Sequence, residues 1–388
     1  MATLIDEDLL SLKEKVSQFA GEHIAPRSDL YTCEGFPFDI WHKMAQENLL
    51  GLSIPKEFGG CEKSFLAVAV AGETMTGSGH NMGLALSWLI HQLTARLFIF
   101  VYGNKTQRDI YLPPMAKGKI TASLAISEPD YGAHPRHLKT RAERKGDWFV
   151  LNGEKAYLTN GPIANLYIVL AVTGTEGERK SFTAFLIPED APGLVRTGPI
   201  KLPFLHPSPH GGIILNNCTI PSTNMIGREG SADEDMSLRF RRYEDVLLMG
   251  PIVGGMEAQT TLLSKDITAR KIPVTDETRD TLGTLQIFLD TLRIMAYEGA
   301  HMLDIGNSKE ELISLTLSFR EICTIFQEKI APLLPDASIS KGTPLPFLTN
   351  DLVSMLHIAK DVAAIKRRKL GDSLLAKKER THRKGLVS

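Results

Sequence analysis

Between about residue 5 and residue 120 the apolar positions recur at helical spacing, with breaks at "GFPFD", "PKEFGG" and "GSGHNMG", which predicts an all-α region. From about 121 to 230 the period shortens. The runs "WFVLNG", "LYIVLAV", "FTAFLIP" and "GIILNNCTIP", each bounded by Gly, Pro or Asn, read as short strands of a small antiparallel barrel or sandwich. Long helical patterns return from about 236 to 332, a Pro-rich break follows, and a last helix starts near 348. The expected organisation is therefore an N-terminal helical domain (1–120), a central β-domain (121–230) and a C-terminal helical domain with a basic tail (231–388), without internal repeats.

Composition narrows the function classes. With 388 residues, 43% hydrophobic, 23% charged and a formal charge of −1, the chain can bury a large core and carries no excess of positive charge that would attract nucleic acid. Cys33, Cys61, Cys218 and Cys323 are scattered without metal-ligand or disulfide spacing, so no metal is expected and a reducing, cytoplasmic setting is. The first residues lead directly into an acidic amphipathic helix rather than an export signal, and no uncharged apolar run is long enough to insert into a membrane.

Candidate chemistry concentrates in "LAISEPDYGAHPRHLKTRAERKGDWFVLNGEKAYLTNG", residues 124–161. A polar, Gly-containing loop follows one apolar run, and a Gly-Asp hairpin joins the next two. Ser127, Gly132 and Thr159 fall at strand ends, where amides and small hydroxyls can meet a planar polar ligand; a polar turn capping two strands has the same pattern. The segment resembles the flavin-facing β-domain of the acyl-CoA dehydrogenase family, roughly "A-x-[ST]-E-P-x-x-G-[SA]" followed by "[WY]-x-T-N-G". "NLLGLSIPKEFGG" and "YLPPMAKGKITASLAISEP" extend the resemblance, which is strong to about Arg270.

The resemblance implies a helical N-domain, a central antiparallel β-domain and a C-terminal four-helix bundle, with FAD between the β-domain and the bundle. It implies that Leu124, Ala125, Ile126, Ser127, Gly132 and Ala133 contact the cofactor, although the last position lacks its usual hydroxyl. Tyr157 would stand near the flavin ring and Thr159 near its reactive nitrogen; strand alternation puts 157 and 159 on one face.

An acyl-thioester dehydrogenase needs a carboxylate to remove the α-proton while the β-hydrogen leaves as hydride. The segment matching the family's usual C-terminal base loop is "IAKDVAAIKR", with Lys360 in the glutamate position. The isovaleryl-CoA, long-chain and prolyl-carrier-protein branches place the base instead on the first helix of the bundle. Matching Arg270 and Gly254 to that helix puts Glu244 at the alternate position without a gap, although an acidic residue near a helix start is also what the macrodipole favours. Arg270 lies 26 residues further on, about 39 Å along a continuous helix, too far to share one site. By the resemblance it reaches the FAD of a neighbouring subunit, which implies a dimer or tetramer; a basic residue complementing the helix end is the alternative.

Further expectations follow from the same comparison. His91 and Gln92 resemble acyl-pocket residues of the carrier-protein branch, as does "NGPIAN", while a lone histidine on an apolar helix is more often a core residue. Glu298, in "YEG", imitates the usual catalytic loop about sixty residues too early. His206 and His210 read as loop residues. Beyond Arg270 the family's turn becomes Ile272-Pro273 and its Gly-rich stretch becomes "APLLPDASISKGTP"; the tail from Lys366 carries nine Lys/Arg against two acids. The expected activity is FAD-dependent α,β-dehydrogenation of an acyl-CoA or acyl-carrier-protein thioester, with an electron-transfer flavoprotein as acceptor. The alternatives are a non-catalytic or half-site subunit and a flavin monooxygenase on the same fold.

Overall fold

The structure is a computed structural model that describes all residues except 1–4, 33, 34, 131, 272, 307, 308, 336–342, 359 and 385–388; side-chain surroundings are also undescribed for 309, 310, 360, 361 and 376–384. Cys33 and Ile272 thus lie outside the described residues.

Five helices lead: α1 (Glu7–His23), α2 (Phe38–Gln46), α3 (Phe65–Gly79), α4 (Met82–Leu93) and α5 (Lys105–Ala116). Their starts follow local chemistry. Asp6, Ser64 and Asn81 each accept a hydrogen bond from an amide three residues on, and Asn104 forms a reciprocal capping box with Gln107. α4 is buried along its whole length, which its weak amphipathicity requires, and runs on into a π-helical stretch, Thr94–Phe100.

Eight strands follow: β1 (Ala122–Ala125), β2 (Arg141–Lys145), β3 (Trp148–Thr159), β4 (Leu166–Glu176), β5 (Arg179–Pro188), β6 (Leu194–Arg196), β7 (His210–Pro221) and β8 (Met225–Ile226). They form one sheet in the order β6-β7-β3-β2-β4-β5-β8, with β1 beside β4. Pairing is antiparallel except for β1 on β4 and a bridge from Arg141 to Val172. Gly146 at φ +63° makes the two-residue turn between β2 and β3 that the Gly-Asp pair predicts. Alternate residues of β3, β4, β5 and β7, including Phe149, Tyr167, Phe185 and Ile213, fill a core belonging to the sheet alone.

The C-terminal helices are α6 (Leu238–Leu247), α7 (Met249–Ala269), α8 (Asp276–Asp304), α9 (Lys309–Ile330), α10 (Leu345–His357) and α11 (Lys360–Lys384). α7 to α10 pack as a bundle, and α3 packs against α7 and α8, so the first and last helical segments share one apolar core. Two glycines permit this. A Cβ on Gly250 would lie 2.4 Å from the Ala69 carbonyl oxygen, and one on Gly254 would lie 2.0 Å from that of Glu73. α6 and α7 are separated by a turn at Leu248, whose backbone stays right-handed, and Pro251 supplies no amide to bond the Leu247 carbonyl.

Met82–Phe100 and Asp233–Ala269 are long and apolar enough by hydropathy to cross a membrane, although both contain charged residues, Arg96 in the first and Asp245 in the second, so neither is an uncharged apolar run. Their apolar windows are 89% and 67% buried within this fold.

Candidate active site

One pocket forms where the sheet meets α4 and α6. It is lined by Ile90 of α4, by Leu124, Ile126, Ser127 and Ala133 in and after β1, by Tyr157, Leu158 and Thr159 of β3, and by Phe240, Arg241 and Glu244 of α6. Its volume is about 150 Å³. That is less than the roughly 300–1,000 Å³ of a small-molecule cleft, so the pocket takes part of a large cofactor rather than all of it.

On the sheet wall, Leu158 points into the sheet core, 1% exposed, while Tyr157 and Thr159 on either side of it border the pocket. The alternation is local. A β-bulge falls between Lys155 and Leu158, and Tyr157 adopts φ +59°, a left-handed conformation that bulky residues rarely hold. Tyr157 is 57% exposed, an apolar ring left at the mouth. Thr159 Oγ1 lies 3.2 Å from His210 Nε2.

The loop after β1 supplies the rim. The Ser127 hydroxyl is half-buried and has no hydrogen-bond partner among the described residues. Gly132 differs from the expectation of a free amide: its N–H donates to the Glu128 carbonyl at 3.1 Å, and its own carbonyl accepts from the Glu128 N–H at 2.9 Å. Its contribution is a φ of +58° with open space where a Cβ would stand. Ala125 also departs from the expected contact set, because alternation along β1 turns its side chain into the sheet core.

Behind this loop lies a buried ion pair that the sequence reading missed. Lys155, fully buried, donates to Glu128 Oε1 and to the Ile126 carbonyl, both at 2.9 Å. Glu128 also accepts from the Lys139 and Thr140 amides at 2.7 and 2.9 Å. Burial alone would raise the Glu128 carboxyl, but Lys155 and these donors hold it below its ordinary value; burial lowers Lys155 to about 8. The signal was present in the sequence, as the Glu of "SEP" and a lysine in an otherwise alternating apolar strand.

Glu244 forms the helix wall. It is half-buried among Ile90, Phe240 and the sheet rim, and its carboxylate has no hydrogen-bond or ion-pair partner among the described residues. Burial pushes its pKa up to about 8; the neighbouring Asp245 adds to the rise and Arg241 opposes it. Arg241 is tied down by a hydrogen bond from its guanidinium to the Ala133 carbonyl, which joins α6 to the rim loop. Asp245 points away and pairs with Lys366 of α11 at 2.5 Å. α6 also borders a more open cleft of about 380 Å³, but its carboxylates Glu234 and Asp235 are both paired with arginines.

The remaining candidates do not join the pocket. His91 and Gln92 sit in the helical core, which corrects the acyl-pocket expectation for both. His91 Nε2 is 3.1 Å from the Met115 carbonyl, and burial lowers its pKa to about 4. Gln92 accepts from the Ser53 amide and hydroxyl and donates to the Leu49 and Leu50 carbonyls. Their neighbour Ile90 reaches the pocket instead, since one helical step turns the side chain by about 100°. Arg270 caps the far end of α7, exposed and paired with Asp266. Glu298 is exposed on α8. Lys360 begins α11, and its side chain lies outside the described residues. His210 opens β7 rather than lying in a loop, and no cluster of three metal-ligating side chains occurs among the described residues.

A helical layer, a mostly antiparallel sheet and a helical bundle, meeting at a pocket with one unpaired carboxylate, define a recognisable class. Residues 6–119 match the acyl-CoA dehydrogenase N-terminal domain and residues 123–218 the middle domain of the same family. The chain belongs to the acyl-CoA dehydrogenase family. It is 33% identical over 262 residues to a mitochondrial 2-methylacyl-CoA dehydrogenase of Solanum tuberosum, covering 66% of this chain and 62% of that one. The match thus spans less than two thirds of that relative. An L-prolyl-[peptidyl-carrier protein] dehydrogenase of Pseudomonas fluorescens is 27% identical over 283 residues, covering 71% of this chain and 74% of that one. Among solved structures, an FAD complex of PigA superimposes with a TM-score of 0.85 at 22% identity, over 95% of this chain and 98% of that one. The fold likeness therefore continues through the C-terminal helices.

Proposed function

We propose that this protein is an FAD-dependent dehydrogenase that introduces an α,β double bond into an acyl thioester, with Glu244 as the base. The observation that carries the reading is the unpaired, half-buried Glu244 carboxylate facing Ser127, Tyr157 and Thr159 across one pocket. FAD, when bound, would accept the β-hydrogen as hydride.

The residues present fit such a group. A hydroxyl and an open glycine on the rim loop, an aromatic ring at the mouth and a threonine hydroxyl inside suit the polar edge of a planar ring. Ile90 and Phe240 from the helices, with Leu124 and Ile126 from the sheet side, surround Glu244 with apolar side chains, and burial raises its proton affinity toward that of an activated α-carbon. Arg241, bonded to the rim loop, holds α6 at its distance from the sheet.

Both relatives named above are dehydrogenases, one of a 2-methylacyl-CoA and one of a prolyl group on a peptidyl carrier protein, which supports a thioester substrate of either kind. An electron-transfer flavoprotein is the proposed acceptor. A homo-oligomer is proposed because Ile287 and Ile294 of α8 stand 65% and 51% exposed on one helix, apolar surface that a second copy would cover. The decisive experiment is an absorption spectrum of the purified protein with added FAD, followed by anaerobic addition of branched-chain acyl-CoA or acyl-carrier-protein thioesters. Bleaching of bound flavin is expected; a protein that remains colourless with FAD would overturn the assignment.

A further inference from the structure

On the sheet wall, opposite Glu244, Thr159 is held by a residue outside the expected site. His210 opens β7, pairs in register with Thr159 and is 8% exposed. Its Nδ1 lies 3.1 Å from the Ser208 carbonyl oxygen and its Nε2 lies 3.2 Å from Thr159 Oγ1. A carbonyl oxygen only accepts, so Nδ1 must carry a proton. Burial depresses the His210 pKa, which favours the neutral ring; a neutral imidazole protonated at Nδ1 has a bare Nε2. The Thr159 hydroxyl therefore donates its proton to His210.

The Ser208 carbonyl is itself fixed in direction. Ser87 of α4 donates to the Ser208 hydroxyl at 3.0 Å, Asn81 donates to the His206 carbonyl at 3.1 Å, and Asp351 of α10 accepts from the Leu205 amide at 2.6 Å. Two helices thus hold the turn that sets the histidine tautomer.

We propose that His210 is a positioning residue that commits the Thr159 hydroxyl to act toward the pocket as an acceptor. An acceptor there discriminates between the two states of a flavin: the central ring nitrogen carries hydrogen and donates when the flavin is reduced, whereas in the oxidised ring it only accepts. The site therefore binds the reduced state preferentially and raises the midpoint potential of bound FAD, in the direction that substrate oxidation requires. This inference rests on the flavin reading above.

The test compares the midpoint potential of bound FAD, by anaerobic dye equilibration, in wild type, His210→Phe, Thr159→Val and the double variant. His210→Phe frees the threonine proton for the pocket and is expected to lower the reduced-to-oxidised affinity ratio about tenfold, or about 30 mV for a two-electron couple. The same substitution in the Thr159→Val background is expected to change nothing. His210→Gln, whose amide oxygen can accept from Thr159, is expected to stay near wild type, and it serves in place of His210→Phe should that variant fold poorly. Equal potentials in wild type and His210→Phe, or an equal shift with Thr159 absent, would overturn the proposal while leaving the flavin reading intact. A wild type that takes up no FAD overturns both. Nitrogen-15 NMR of the His210 ring in the cofactor-free protein gives an independent check: a bare Nδ1 would end the argument.

Discussion

Two glutamates flank one pocket and have opposite fates. Glu128, behind the rim loop, accepts from Lys155 and two backbone amides and is held below the ordinary carboxylate range. Glu244, on the helix wall, has no such partner among the described residues and is raised to about 8. The same side chain serves as a fixed strut in one wall and as a proton acceptor in the other, and partners alone make the difference. A paired buried charge holds geometry; an unpaired one retains chemistry.

The sharpest way to break the comparison is to neutralise each glutamate side. Glu244→Gln is expected to slow thioester-dependent flavin reduction by roughly 10²–10⁴-fold while FAD stays bound, as measured by anaerobic stopped flow. An unchanged rate would remove Glu244 from the mechanism. Lys155→Met strands Glu128 without its cation and is expected to destabilise the fold by about 3–5 kcal/mol in urea unfolding. Recovery of much of that loss in a Glu128→Gln, Lys155→Met double variant is the expected signature of a pair; a loss equal to the single variant would mean that Lys155 acts by packing alone.

The pH dependence separates the two by sign. Between its ordinary 4.5 and about 8, folded Glu244 keeps a proton that the unfolded chain has released, so its contribution to stability is lost as pH rises through that window. Glu244→Gln should flatten this slope, and kcat/KM of the wild type should rise through about pH 8 as the base ionises. Glu128 acts oppositely, stabilising above its ordinary value and losing that contribution on acidification. Denaturation midpoints from pH 4 to 9 would reveal both; a Glu244→Gln curve parallel to the wild type would refute the raised pKa.

The smallest expected effect is remote from both glutamates. Arg270→Ala removes an exposed pair with Asp266 that contributes at most about 1 kcal/mol, so the fold should persist while FAD affinity falls if a neighbouring subunit uses this arginine. Light scattering that finds a monomer with full flavin occupancy would rule out such sharing.

Hydrophobic period was enough to separate helical, strand and helical zones, because one-sided burial imposes period 3.6 on a helix and period 2 on a strand. Local turn chemistry was equally legible, as at Gly146, and the motif around Ser127 and Thr159 marked one wall of the pocket. Glu244 was reachable by register, but nothing in its own neighbourhood distinguished it from an acid favoured at a helix start.

The pocket place that the resemblance offered to His91 and Gln92 falls to Ile90, because adjacent helical positions look in different directions and only packing decides which neighbour meets the cavity; His91 takes the core position that an apolar helix favours. His210 reads as a loop residue in the sequence and Lys155 draws no reading there, because their partners lie 51 and 27 residues away in the chain, distances that strand pairing erases. The chain's pattern by itself determined which segments would be helix or strand and which residue types could do the chemistry. Tertiary structure alone decided which carboxylate kept its proton affinity free, since desolvation and pairing depend on what the fold brings within a few ångströms.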